Sequence, residues 1–283
     1  MKKLIKKITS SSAQNMGEHR MYQPLPDQGL DQLNPFLLLH HHGPHDFQAY
    51  NQGLPFGPHP HRGFETLTFI YDGEIEHADS QGYKSIIKAG GVQWMTAARG
   101  IVHSENLSAN QREHGGKMEI IQLWMNLPAS LKMTKPNYQG LQKEDIPVVE
   151  TADKKTQVAV VSGKYQGTIG AARSLTGLEV FNVSTQAGGV NSYSFEAGKN
   201  ILFYVLNGEL KVNGKLVIDH QLVIFDTEGA DIEVEAQTDA RYIIASGDII
   251  NEPMVSQGPF VMNTTTEILE AMRDYQMGKM GVM

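Results

Sequence analysis

Apolar residues along this chain fall in short runs broken by Gly, Asn, Asp and Pro, and the 3.6-residue spacing of a helix is almost absent before the C-terminus. The run Thr66-Leu-Thr-Phe-Ile-Tyr71 is β-branched and aromatic and closes at Asp72-Gly73, which predicts a strand entering a hairpin. Segments of this kind extend from about Pro35 to Pro128 and again from about Thr156 to Ile250, so the pattern predicts an all-β protein. Between them, Ala129 to Ala152 holds Pro136, Gly140, Pro147 and mixed charge, which reads as a linker with at most short structure. The two halves look alike. Phe69-Ile-Tyr-Asp-Gly-Glu-Ile75 leads to Ala89-Gly-Gly-Val-Gln-Trp-Met95, and Phe203-Tyr-Val-Leu-Asn-Gly-Glu-Leu210 leads to His220-Gln-Leu-Val-Ile-Phe225. A strand, a Gly-Glu turn and a return to an apolar strand occur in both, which predicts duplicated β-barrels. The expected division is an N-terminal barrel over 1–140, a linker over 141–155, and a second barrel with a C-terminal helix over 156–283. For that helix, Thr264 and Glu267 resemble a capping box, and Ile268, Leu269, Met272 and Tyr275 fall near one face. About three turns are expected, packed on a barrel, with Met277, Met280 and Met283 as a loose tail.

At 283 residues the chain is long enough for two domains, each with its own core. A net charge of −7 without a basic block leaves no electrostatic footprint for direct nucleic-acid binding. Met1-Lys-Lys-Leu-Ile-Lys-Lys7 carries the charge of a secretory leader, but Ile8 to Asn15 supplies no apolar core for one. The opening residues therefore read as a solvated first strand. No apolar run reaches the ~18 residues of a membrane span. The absence of cysteine excludes disulfides and thiolate ligands. Cytoplasmic residence is the expectation.

Gly57-Pro-His-Pro-His-Arg-Gly-Phe-Glu65 places His59 and His61 two residues apart at the mouth of the strand that follows from Thr66. Strand residues at i and i+2 share a face, so the two imidazoles can converge on one point. Downstream, Trp94 to Glu105 brings an apolar strand, a turn at Arg99-Gly100, and His103 with Glu105 at the same spacing. Three neutral imidazoles and a carboxylate make an N/O donor set suited to one divalent first-row metal, with open positions for water, dioxygen or a chelating substrate.

These residues resemble a known family. Gly53, His59, His61 and Glu65 match the cupin pattern of a glycine, five residues, HxH and a glutamate, and the closer similarity is to pirins. Their motifs HPHRGFET and QWMTAxRGIxHxE read here as His59 to Thr66 and Gln93 to Glu105, and Gln122 to Pro128 and Gly258 to Asn263 also resemble pirin segments. The resemblance implies two tandem cupin-type barrels (a bicupin). It also implies iron in the N-terminal barrel, with Zn, Ni, Cu or Mn as substitutes, and ligands His59, His61, His103 and Glu105. In several members it implies quercetin 2,3-dioxygenase activity. Glu65 is then left beside the metal, orienting a histidine or water, with a salt bridge to Arg62 or Arg99 as the alternative. If Gly208 corresponds to Gly73, the places of His59, His61 and Glu65 fall on Ser194, Glu196 and Asn200, so the second barrel reads as metal-free and structural.

The expected function is a dioxygenase in which a flavonol-like substrate chelates the metal and reacts with dioxygen, Glu105 or Glu65 taking the hydroxyl proton. Phe69 and Trp94 are candidates to line the barrel interior, although Trp94 and Met95 also read as core. The alternative is a non-enzymatic, redox-sensitive iron protein that acts through a protein partner. The remaining histidines read as bystanders. His40-His-His42 and His45 are expected as solvated loop residues, a second metal patch or a pocket entrance being the alternatives. His77, His114 and His220 read as surface, and strand alternation turns Ser104 away from its neighbouring ligands.

Overall fold

The computed structural model describes residues 1–17, 19–26 and 33–283. Two compact units result, and each exchanges a chain end with the division expected from the sequence. The C-terminal barrel comprises Met1–Ser12, Tyr22–Pro35 and Asp145–Ile249; the N-terminal barrel comprises Ala13–Met21, Phe36–Glu144 and Ile250–Met283. The expected boundaries at 1–140, 141–155 and 156–283 are corrected accordingly. The opening strand Ile5–Ser10 pairs antiparallel with Gln221–Phe225, a long-range register that no local signal announces. Nor are all the opening lysines solvated, because Lys3 is buried and donates to the carbonyls of Lys199, Asp226 and Thr227.

In the N-terminal barrel, a seven-stranded sheet runs in the order Asn137–Leu141, Val92–Thr96, Phe64–Asp72, Gly116–Asn126, Phe36–Phe47, His19–Leu25, Ala13–Met16. A four-stranded sheet runs His59–His61, Ile101–Leu107, Glu74–Asp79, Lys84–Lys88. Ile70, Ile75, Ile87, Leu107, Met118 and Ile120 form its central apolar cluster. The C-terminal barrel repeats this order except at one edge, where Ile5–Ser10 precedes its barrel in sequence and Asn137–Leu141 follows its own. Its sheets run Ile5–Ser10, Gln221–Phe225, Asn200–Asn207, Ala240–Gly247, Glu179–Thr185, Thr156–Ser162, Val148–Glu150, and Val190–Ser194, Asp231–Ala236, Leu210–Val212, Lys215–Val217. The duplication read from the two Gly-Glu turns is therefore present in the pairing. The segment read as a linker has only short structure, a helix at Ala129–Lys132 and edge strands at Asn137–Leu141 and Val148–Glu150.

Helix Thr265–Gln276 begins at the expected capping box, Thr264 accepting from the Glu267 amide while Glu267 bonds back to the Thr264 amide. Its buried stripe is Ile268 and Ala271 with Met272 beside them, against Val102, Phe260 and Met262. Leu269 and Tyr275 are exposed, which corrects their assignment to the packed face. Met280 is buried in the same cluster, not loose, and its carbonyl accepts the Ser80 hydroxyl. Gly63 breaks the chain between His59–His61 and Phe64–Asp72 at φ +92°, where a Cβ would collide with the Val261 carbonyl, so only glycine fits. Buried Lys132 ties the same place together, donating to Gly63 O at 2.7 Å, Asn126 Oδ1 at 2.6 Å and Val261 O at 2.9 Å.

Candidate metal centre

Strand His59–His61 is the edge of the four-stranded sheet and pairs with Ile101–Leu107 so that His59 lies opposite His103 and His61 opposite Ile101. This register brings three rings together, with centroids 4.4 Å (His59 to His103), 4.8 Å (His59 to His61) and 4.9 Å (His61 to His103) apart. Among the described residues they form the single group of three or more His, Asp or Glu side chains whose ligand atoms lie within 4.8 Å of one another.

His59 Nδ1 is 2.8 Å from the Gly57 carbonyl, which fixes the proton on that nitrogen and leaves the Nε2 lone pair facing inward. His59 Nε2 and His103 Nε2 are 2.9 Å apart. Two imidazole nitrogens each ~2.1 Å from one ion at right angles are ~3.0 Å apart, so this pair stands close enough to share one ion. Burial pushes His61 down to about 3, helped by the nearby His59 and opposed by the Pro259 carbonyl. His103 is held well below the ordinary histidine value by burial first, then by His61, His59 and His77. Both rings are therefore neutral, the form in which imidazole binds a metal. The donor set fits a divalent transition metal.

Glu105 follows His103 on the same strand face and is buried, but it does not join the histidine group. Its Oε1 accepts from Thr68 Oγ1 at 3.2 Å and its Oε2 from Gln122 Nε2 at 2.8 Å. Trp124 Nε1 in turn donates to Gln122 Oε1 at 3.2 Å, which orients that amide. Trp124 and Phe64 pack their rings 4.5 Å apart, and both contact the His61 ring, at 5.3 and 5.1 Å.

Glu65 takes no part in this face. It pairs in register with Thr96, and its Oε1 accepts from Trp94 Nε1 at 3.1 Å and Thr96 Oγ1 at 2.6 Å. Alternation along Phe64–Asp72 puts Glu65, Leu67 and Phe69 on the side opposite Thr68, the residue that reaches Glu105. The expected role of Glu65 beside the metal is thereby corrected, as is the placing of Phe69 and Trp94 as lining for the site. The alternative salt bridge is absent too, since Arg62 pairs with Asp274 at 3.1 Å and donates through Nε to the Arg99 carbonyl. Burial raises the Glu65 carboxyl to about 7 against the two hydrogen bonds it accepts, and its Oε2 is buried without a partner.

Two groups of histidines were misjudged from sequence. His77 is buried: its Nε2 is 3.0 Å from Asp79 Oδ2, its ring stacks on Tyr138 at 4.0 Å, and it lies 5.4 Å from the His103 ring. Cross-strand pairing of Glu105 with His77 and of His103 with Asp79 sets all four on one sheet face. The signal was present as His77 and Asp79 at i and i+2, but the polar hairpin masked it. His40, His41, His42 and His45 are not loop residues; they lie in strand Phe36–Phe47, with His41 and His42 buried. His41 Nε2 is 3.0 Å from Glu119, and His42 Nδ1 is 3.0 Å from His19 Nε2. His114 is exposed as expected, and His220 is half-buried with its ring stacked on Tyr22.

A duplicated antiparallel barrel with three converging histidines inside one copy defines a bicupin with a donor cluster suited to a metal. Comparison with known proteins gives the family: the pirin description matches residues 18–125 and the pirin C-terminal cupin domain matches residues 180–281, so the chain belongs to the pirin family. It is 41% identical over 247 residues to a Pseudomonas aeruginosa protein provisionally named a quercetin 2,3-dioxygenase, covering 87% of this chain and 86% of that one. The crystal structure of a quercetin 2,3-dioxygenase from Acinetobacter baumannii superposes with a TM-score of 0.93 at 36% identity, over 99% of both chains. A bacterial pirin from Escherichia coli in complex with nickel(II) shares the fold at a TM-score of 0.68 and 21% identity, over 86% of this chain and 100% of that one. No helix among the described residues is long and apolar enough to cross a membrane.

Proposed function

We propose that this pirin is a metal-dependent dioxygenase of the quercetin 2,3-dioxygenase type. In this reading His59, His61, His103 and Glu105 hold one divalent transition metal, Fe(II) in preference to Zn, Ni, Cu or Mn. The observation that carries it is the convergence of the His59, His61 and His103 imidazoles, with a carboxylate two residues beyond His103 on the same strand face. A metal held there would supply a Lewis acid that polarises a chelating flavonol. Gly57 fixes the His59 tautomer, and the register with Ile101–Leu107 holds His103 against it. Glu105, steadied by Thr68 and Gln122, accepts the flavonol hydroxyl proton on a carboxylate oxygen. Phe64 and Trp124 form the aromatic wall beside His61, where they orient the substrate rings and exclude water. The substrates are thus a flavonol-type aromatic and dioxygen, with neither nucleic acid nor membrane.

The test is oxygen uptake and carbon monoxide release on addition of quercetin, comparing iron-loaded protein, chelated protein and His61→Ala. Turnover should require the metal and be lost in His61→Ala. Turnover unaffected by metal removal refutes the mechanism. Its absence from every metallated form favours the regulatory reading, in which the same site acts through a protein partner.

A further inference from the structure

The C-terminal barrel has an edge strand at the same place in its topology as the histidine strand of the N-terminal barrel. Val190–Ser194 borders its four-stranded sheet and pairs with Asp231–Ala236, as His59–His61 borders its own and pairs with Ile101–Leu107. In place of metal ligands, its inward residues are Asn191 and Tyr193. A cavity of about 430 Å³ opens beside this edge, between Val190–Ser194, the start of strand Glu179–Thr185 and the hairpin Lys164–Tyr165/Thr168–Ile169.

Its floor is aromatic. Phe181, Tyr193 and Phe195 lie with centroids 6.1 Å apart in all three pairs and planes within 18° of parallel, and Tyr165 packs at 5.4 Å from Phe181 and 5.6 Å from Tyr193. Three mutually equidistant rings cannot form one stack; all three line the cavity while nearly buried in the core behind it. Behind them the polar atoms are internally matched. Tyr165 donates to Asn191 at 2.6 Å, Asn191 donates to the Tyr193 hydroxyl at 2.9 Å, and that hydroxyl meets Tyr242 at 2.8 Å. At the rim, the Gln166 side-chain carbonyl and the Ser192 hydroxyl have no partner within the described protein.

We infer that this cavity binds a small, uncharged, hydroxylated aromatic molecule at a site separate from the metal centre. Its volume lies within the ~300–1,000 Å³ of ordinary ligand pockets, and an apolar floor with a few polar groups at the mouth is their usual construction. The charges at the rim oppose one another and do not select an ion. Lys164 lines the cavity along with Glu179 and Asp231, and Asp231 is already engaged by the Met1 amino group at 2.9 Å and the Ser194 hydroxyl at 2.9 Å. The ring of the ligand lies against Tyr193 and Phe195, and its hydroxyl donates to Gln166 or Ser192.

The inference is independent of the proposed reaction and is tested without metal. The probe is p-cresol, which has one hydroxyl and cannot chelate. Its binding to chelated full-length protein is followed by ligand-detected NMR, alongside Ser192→Trp, which fills the rim from an exposed position, and His61→Ala. Wild type should bind saturably with one equivalent, Ser192→Trp should weaken binding at least tenfold with an unchanged melting temperature, and His61→Ala should stay within twofold. Absence of saturable binding, equal binding by Ser192→Trp, or loss in His61→Ala would each overturn the inference.

Discussion

Glu65→Gln should make the protein more stable in mild alkali while leaving it nearly unchanged in mild acid. The carboxyl is fully buried, and its neutral form is favoured to the extent that its pKa rises from 4.5 to about 7. Between those values the folded state binds more protons than the unfolded chain, so stability falls as pH rises through that window. A displacement of about 2.5 units at ~1.36 kcal/mol each corresponds to about 3 kcal/mol lost by pH 8. Glutamine keeps the acceptor for Trp94 and Thr96 and puts an amide where the unpartnered Oε2 stands, so it mimics the protonated acid. The assay is urea unfolding of metal-free wild type and Glu65→Gln from pH 5 to 8.5. Tryptophan fluorescence serves as the probe, because both tryptophans, Trp94 and Trp124, lie in the barrel that holds Glu65. Titrations common to both proteins cancel in the difference. The variant should gain about 2.5 kcal/mol relative to wild type between pH 5 and pH 8. A difference that is flat, or that moves the other way, refutes the buried neutral carboxyl.

His61→Ala or His103→Ala should abolish stoichiometric metal binding, read by elemental analysis, with little change in far-UV circular dichroism. Glu105→Ala should weaken metal binding more than Glu65→Ala does; the reverse order would put Glu65 in place of Glu105 in the ligand set. Lys132→Met should cost about 3–5 kcal/mol in urea unfolding, because it strands three buried acceptors at Gly63, Asn126 and Val261. Burial holds His40 down to about 4, His61 to about 3 and His42, with help from its histidine neighbours, to about 2. The unfolded chain therefore takes up protons first as pH falls below 6.5, and metal-free Glu65→Gln should lose stability there by at most ~1.4 kcal/mol per pH unit for each histidine. A flat acid limb in urea titrations would contradict this.

The meeting of His59, His61 and His103 was legible in sequence because HxH puts two imidazoles on one strand face, and the register of His59 with His103 brings the third to them. The place beside the metal that the resemblance implies for Glu65 does not follow from the chain because Gly63 intervenes: His61 and Glu65 belong to different sheets, and the alternation restarts after it. His77 and Asp79 were missed because a polar hairpin gives no hint that its face is buried under Tyr138. Thr68 and Gln122 hold Glu105 only through pairing between distant strands, Gln122 lying opposite Thr68. The exchange of chain ends follows from the pairing of Ile5–Ser10 and the packing of Ile268 and Ala271, contacts remote in sequence that leave no local periodicity to read.

The central claim, that the histidine strand and its partner hold one metal, is tested most directly by anomalous diffraction from crystals of the iron-loaded protein at the iron edge. The account predicts one strong peak per chain at ~2.0–2.3 Å from a ring nitrogen of each of His59, His61 and His103, with a Glu105 oxygen completing the set. A principal peak at His19 and His42, or beside Asn200 in the C-terminal barrel, would contradict it.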